Sequence, residues 1–101
     1  MIIYDIAPGE KSWWIIDCTD FLNKEGPGIV ISSVRFSSQV GTGNIAINPV
    51  SNPYQINGDS VSFFADATLS PPNTTSVFEL TFLLSSGESI PRGVTFNVKN
   101  L

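Results

Sequence analysis

Two groups of side chains in this 101-residue chain have types and spacing suited to chemistry. Asp17, Asp20 and Glu25 fall within nine residues of one another, just after the adjacent pair Trp13 and Trp14. Carboxylates beside aromatic rings suit glycoside hydrolysis, where one acid protonates the leaving oxygen and the other acts on the ring, or a sugar-binding platform. The simpler reading is that Asp17 and Asp20 cap a turn and Glu25 is solvated. Oxygen ligands from Asp17, Asp20 and either Asp59 or Asp66 would also suit calcium, although no EF-hand loop accompanies them.

The rest of the reactive inventory is short. The chain has no His and one cysteine, Cys18, so Ser–His and Cys–His nucleophile pairs and the ordinary zinc sites cannot be assembled within it. Cys18 reads as a buried small hydrophobe, with no intrachain disulfide available. Gly41, Thr42 and Gly43 are followed by neither a Lys nor a helix, so they form no phosphate loop, and the sequon at Asn73 reads as a polar loop. The expectation is a non-enzymatic chain with no catalytic residue, cofactor or metal.

Trp13 and Trp14 are then the informative residues. Neighbours in a strand point to opposite faces, so one enters the core and the other faces outward. An outward Trp offers a large rigid apolar surface of the kind found at protein interfaces and on carbohydrate platforms, unless the Lys11 stem or a loop covers it.

Composition limits the partners. Nine acidic and five basic residues leave a net charge of −4, and Lys11, Lys24, Arg35, Arg92 and Lys99 are dispersed, which disfavours nucleic acid. Only 14% of residues are charged, against about 25% in average domains, so Ser, Thr, Asn and Gly must cover much of the surface. No stretch reaches the roughly 18 apolar residues of a membrane span, and residues 1–5 lack the features of a signal peptide. A soluble protein made in the cytoplasm is expected.

The elements that must position these residues are strands. In residues 78–101, Phe78, Leu80, Phe82 and Leu84 alternate with Glu79 and Thr81, then Val94, Phe96 and Val98 alternate with Thr95, Asn97 and Lys99, around a turn at Ser85, Ser86, Gly87 and Glu88. A period of two identifies a half-buried hairpin. Its outer side is polar apart from Leu83.

Upstream, Trp13, Trp14, Ile15 and Ile16 form an unbroken apolar run, implying a strand covered on both faces or one with an interface face. Residues 21–25 suit one connecting helical turn ended by Gly26, Pro27 and Gly28. Residues 29–36 alternate again, with Val30, Ser32, Val34 and Phe36 on one side. Residues 37–44 read as a loop, and a brief strand passes through Ile45 and Ile47. Asn57 and Gly58 signal a hairpin into residues 60–65, with Val61 and Phe63 inward, or Phe64 if a bulge shifts the register, and residues 69–75 read as a loop.

Six or seven short strands with turns about every ten residues suggest one domain over residues 1–101: an all-β, immunoglobulin-like antiparallel β-sandwich of about seven strands, with a small closed barrel as the alternative.

Taken in order, several segments resemble a family of short immunoglobulin-like structural proteins of tailed bacteriophage virions. They are DIAPGE from Asp5, the run Trp14, Ile15, Ile16, Asp17 leading to Asp20, Phe21 and Leu22, ISSVRF from Ile31, VSFFADATLS ending at Ser70, and LLSSGES followed by VTFNV. The chain departs from that pattern at Pro71 and Pro72, where a glycine pair is expected, and in a longer loop over residues 37–44.

The resemblance implies a virion component made in the bacterial host cytoplasm: a capsid decoration or head-fibre protein, or a neck or tail accessory module, docking on phage capsid or tail protein. Homo-oligomers are common in such settings, and an edge strand over residues 1–4 would suit joining by strand addition. Ile2, Tyr4, Trp13, Trp14 and Tyr54 are the candidate interface residues. A carbohydrate-binding or host-surface-binding module is the alternative.

Overall fold

Nine strands and one helix make up the computed structural model, which describes residues 2–100. In chain order they are β1 (Ile2–Ile6), β2 (Lys11–Asp17), α1 (Thr19–Glu25), β3 (Ile31–Phe36), β4 (Val40–Gly41), β5 (Ala46–Ile47), β6 (Gln55–Asn57), β7 (Ser60–Asp66), β8 (Thr74–Leu84) and β9 (Ser89–Val98).

The closing hairpin is the centre of one sheet, with β1 beside β9 and both β3 and β4 beside β8. Its turn places Ser85, Ser86 and Gly87 between the strands, Gly87 N–H donates to the Leu84 carbonyl, and Gly87 takes a φ of 91° that a side chain would strain. The second sheet is built on β7, with β2 on one side and both β5 and β6 on the other. The two orders, β3–β8–β9 and β2–β7–β5, correspond to the C–F–G and B–E–D arrangement of immunoglobulin-type sandwiches. The expected all-β sandwich is therefore the fold, with one departure from an all-antiparallel ladder: β1 runs parallel to β9, with Tyr4 opposite Phe96.

Alternation decides what lies between the sheets. Val61, Phe63 and Ala65 of β7, Phe78, Leu80, Phe82 and Leu84 of β8, and Val94, Phe96 and Val98 of β9 are all buried. In β3 the expected alternation is interrupted. A bulge between Ile31 and Ser33 turns Ile31 and Val34 both inward while Ser32 stays exposed, because an extra residue on one strand reverses the parity beyond it.

The β6–β7 turn lies one residue later than the Asn57–Gly58 signal suggests. Asn57 pairs with Ser60, so Gly58 and Asp59 are the corner residues. Positive φ at Gly58 alone fits a turn that needs glycine only at its first corner.

Two other segments differ from expectation. The helix has structural weight: Leu22 is buried and Phe21 packs on Phe82 at 5.3 Å, closing one end of the sandwich beneath the Arg92 guanidinium, 5.3 Å above the Phe21 ring. The loop over residues 37–44 contributes β4, which presses against the start of β8. Gly41, at φ 107°, leaves no room for a Cβ beside the Thr75 carbonyl. The Gln39 amide holds both backbone groups of Ile45.

The core is organised around aromatic rings. Phe96 meets Trp14 at 5.1 Å, Phe78 at 6.1 Å and Phe63 at 6.2 Å, and Phe36 meets Phe63 at 6.0 Å and Tyr54 at 5.4 Å. Because Phe96 is fully buried and joins both sheets, Phe96→Ala is expected to lower unfolding free energy by about 3–5 kcal/mol. A urea unfolding curve measures this, and a loss under about 1 kcal/mol would show that the rings are not the principal tie between the sheets.

Candidate functional site

The Trp pair separates as strand geometry requires. Trp14 points inward, 4.6 Å from the Tyr4 ring, and its indole N–H is buried without a hydrogen-bond partner among the described residues. Trp13 points outward and is 43% exposed. The strict alternation of β2 explains the unbroken apolar run: one set fills the core edge, and the other, Trp13 and Ile15, lies on the open face.

That face is the outer surface of the second sheet. Trp13 is paired with Phe64 across the ladder, their rings edge-to-face at 5.3 Å, and Ile15, 64% exposed, is paired with Ser62. Directly opposed residues share a face, so Trp13, Phe64 and Ile15 form one apolar strip. Lys11 and Asp66 bound it at one end, Asp17 and Ser60 at the other. Phe64 keeps its place because Asn48 bridges its backbone, donating its N–H to the Phe64 carbonyl and accepting the Phe64 N–H on its side chain.

The other interface candidates lie elsewhere. Ile2, Tyr4, Trp14 and Tyr54 are half-buried and packed against the core. Tyr54 sits at the opposite side of the sandwich, with its hydroxyl accepting the Val34 N–H at 3.2 Å. Met1, the first residue of the expected edge strand, lies outside the described residues. Tyr4 closes the gap between the sheets, its hydroxyl donating to the Ile15 carbonyl at 3.5 Å. Phe64 and Ile15 went unidentified as partners of Trp13 in the sequence because which Trp faces outward, and whether a bulge turns Phe64 inward, are set by pairing; the unbroken β2–β7 register places Phe64 outside beside Trp13.

Asp17 accepts both the N–H and the hydroxyl of Thr19, and these hydrogen bonds hold its carboxyl below the usual range. Thr68 does the same for Asp66. A general acid needs the opposite shift. Glu25 is raised, first by a hydrogen bond with Glu88, but this pair joins the end of α1 to the turn of the closing hairpin, outside the β2–β7 ladder that carries the Trp13 strip.

Asp17 and Asp66 stand at opposite ends of the β2–β7 ladder, so they cannot share a calcium ion. Among the described residues no group of three or more Asp, Glu or Cys is placed to hold a metal. The Cys18 thiol is buried, and burial pushes its pKa up to about 11, which keeps it protonated and unreactive.

Two shallow hollows adjoin the ends of the strip. One, of about 400 Å³, lies between Ile45, Ala46 and Leu69 with Lys11 and Asp66 at its edge. The other, of about 310 Å³, has Asp17 and Asp20 facing Lys24 and Arg92 beside Phe21. In each, acidic and basic groups offset one another, leaving no concentration of one charge to hold an ion.

No helix among the described residues is long and apolar enough to cross a membrane. The chain matches no family model, no curated protein and no solved structure.

Trp13→Ala is expected to cost about 1 kcal/mol of stability and Trp14→Ala about 3–5 kcal/mol, read by denaturant unfolding. Equal losses would contradict the opposite facings.

The carboxylates give a pH dependence. Asp17 and Asp66 have folded values below their unfolded ones, so their contribution is present above the ordinary carboxylate range and lost as pH falls through the folded values. Glu25, raised, acts in the reverse sense: its contribution is present at acid pH and lost as pH rises. The double variant Asp17→Asn with Asp66→Asn, which keeps the acceptor oxygens, should lose less Tm than the parent between about pH 6 and pH 2. Parallel curves would assign acid sensitivity to other groups.

Proposed function

We propose that this chain is a non-enzymatic docking module working through the outer face of its second sheet, and that it is a structural component of a bacteriophage particle. In this reading it is a capsid decoration or head-fibre protein, or a neck or tail accessory module, made in the host cytoplasm and bound to capsid or tail protein in the virion.

The observation that carries the docking reading is the strip of Trp13, Phe64 and Ile15, a flat apolar surface ending in charges of both signs. Protein interfaces are enriched in aromatic residues at their centre and carry their charges at the rim. A flat sheet face fits a protein lattice better than it fits a small substrate, which calls for a concave pocket. The virion assignment rests on the resemblance in strand and turn motifs. A disulfide-free core held by aromatic contacts is compatible with synthesis in a reducing cytoplasm.

Purified particles of the phage that encodes this sequence provide the test. Electron microscopy should show stoichiometric copies at symmetry-related positions, and Trp13→Ala should weaken attachment by about thirtyfold, the loss typical of a central aromatic anchor, with the fold intact. Absence of the protein from purified particles overturns the virion assignment. Binding of the free chain to arrayed polysaccharide, abolished by Trp13→Ala, would instead favour the carbohydrate-binding alternative.

A further inference from the structure

The strip lies on a strand with an open edge. β2 pairs with β7 on one side and with no strand on the other among the described residues. The direction of its backbone groups follows from their neighbours. Phe64 gives its N–H and carbonyl to Asn48, away from β2. The Glu10 carbonyl accepts the Ala67 N–H, and the Cys18 N–H donates to the Asp59 carbonyl. Groups alternate along an antiparallel strand, so even-numbered residues 10–18 face β7, and Lys11, Trp13, Ile15 and Asp17 turn their N–H and carbonyl groups to the other edge, where the Ile15 carbonyl already accepts the Tyr4 hydroxyl at 3.5 Å and keeps one lone pair for a partner strand. Each of these four side chains is also exposed on the outer face.

We infer that β2 pairs with β2 of a second copy of this chain, antiparallel and about a two-fold axis through Trp14, so that the two small sheets become one. The order of the four edge residues sets this pairing. An antiparallel pairing centred on Trp14 sets Lys11 opposite Asp17 of the partner subunit, and Trp13 opposite Ile15 of the partner subunit, with each contact repeated by symmetry.

Shifting the axis by one residue either way, the smallest step that keeps edge groups facing one another, loses this match. Centred on Trp13, Lys11 faces the partner's Ile15; centred on Ile15, Trp13 faces the partner's Asp17. Only the Trp14 register joins opposite charges at both ends of an apolar centre, where cross-strand pairs of these types are favourable.

The open edge also lacks the usual protections. β2 contains no proline, no bulge and no inward-pointing charge. Lys11 and Asp17, the charges it does carry, are complementary to a second copy rather than repelled by it. The pairing joins two Trp13 strips into one symmetric platform. It concerns the edge of β2 and goes beyond the question of what docks on the face.

The solution mass tests it. Sedimentation equilibrium of the full chain should report twice the 10.9 kDa of one copy. Lys11→Asp and Asp17→Lys, tested separately, each replace two attractive contacts with two repulsive ones and should raise the dissociation constant about tenfold or more. Mixed in equal amounts, the two variants should form a heterodimer, visible by native mass spectrometry, because opposite charges then face each other at both ends. Cooperative unfolding of each variant confirms that it is folded. A measurement on the parent alone guards against variants that do not fold: amide hydrogen exchange at Trp13 and Ile15 should slow as concentration rises. A parent that is monomeric up to about 1 mM, weaker than specific association, overturns the inference. So do single variants that dimerise like the parent, a mixture that stays monomeric, or edge amides whose exchange ignores concentration.

Discussion

A sandwich of two small sheets without a disulfide must be held together by what lies between them, and here that is a continuous line of aromatic rings. Tyr4 and Trp14 stand at one side, Phe96, Phe78 and Phe63 fill the middle, and Phe36 and Tyr54 reach the other side. The rings come from six strands and the segment before β6, so each contact ties together parts of the chain that are distant in sequence. Tilted and edge-to-face pairs of this kind add about 0.5–1.5 kcal/mol each beyond the area they bury. Immunoglobulin domains of oxidising compartments join their sheets with a disulfide; this chain relies on packing, with Cys18 buried and protonated near the end of the helix.

The same rings determine which apolar surface is left exposed. Once Trp14 is committed inward against Phe96, strand alternation turns Trp13 and Ile15 outward. Once Phe63 is committed to the core, Phe64 must join Trp13 on the outer face. The strip of Trp13, Phe64 and Ile15 is thus the complement of the core on the same two strands. It is stiff because its neighbours in sequence cannot move: Trp14 and Phe63 anchor the backbone from which Trp13 and Phe64 project. An aromatic surface held this way loses little side-chain freedom on binding.

The closing hairpin was legible from its alternation, and so were the burial of Val61 and Phe63 and the sandwich class, because each rests on local periodicity. The bulge in β3 was not, since it depends on how β8 lies beside Ile31 and Ser33. Nor was the earlier start of β8. Thr74 and Thr75 look like a polar loop, and become strand because β9 pairs with them. The hairpin's outer face is correspondingly less polar than Leu83 alone suggests: Val77 joins it, with Ile3 and Val40 in the same row across the sheet. The helix looked too short to matter, yet its Phe21 and Leu22 close an end of the core that no strand reaches.

Of the candidate site, the sequence by itself determined that one Trp of the adjacent pair faces outward, that His-dependent nucleophile pairs and ordinary zinc sites are unavailable, and that the chain is a β-sandwich. These follow from residue inventory and from a period that every strand obeys. Only the tertiary structure decided which Trp it is, that Phe64 stands beside it, and that the strand carrying it has a free edge. Alternation sorts side chains into two faces without saying which face is covered. That depends on the facing sheet of the closing hairpin, which packs on Trp14 through Tyr4 and Phe96 and leaves Trp13 to solvent.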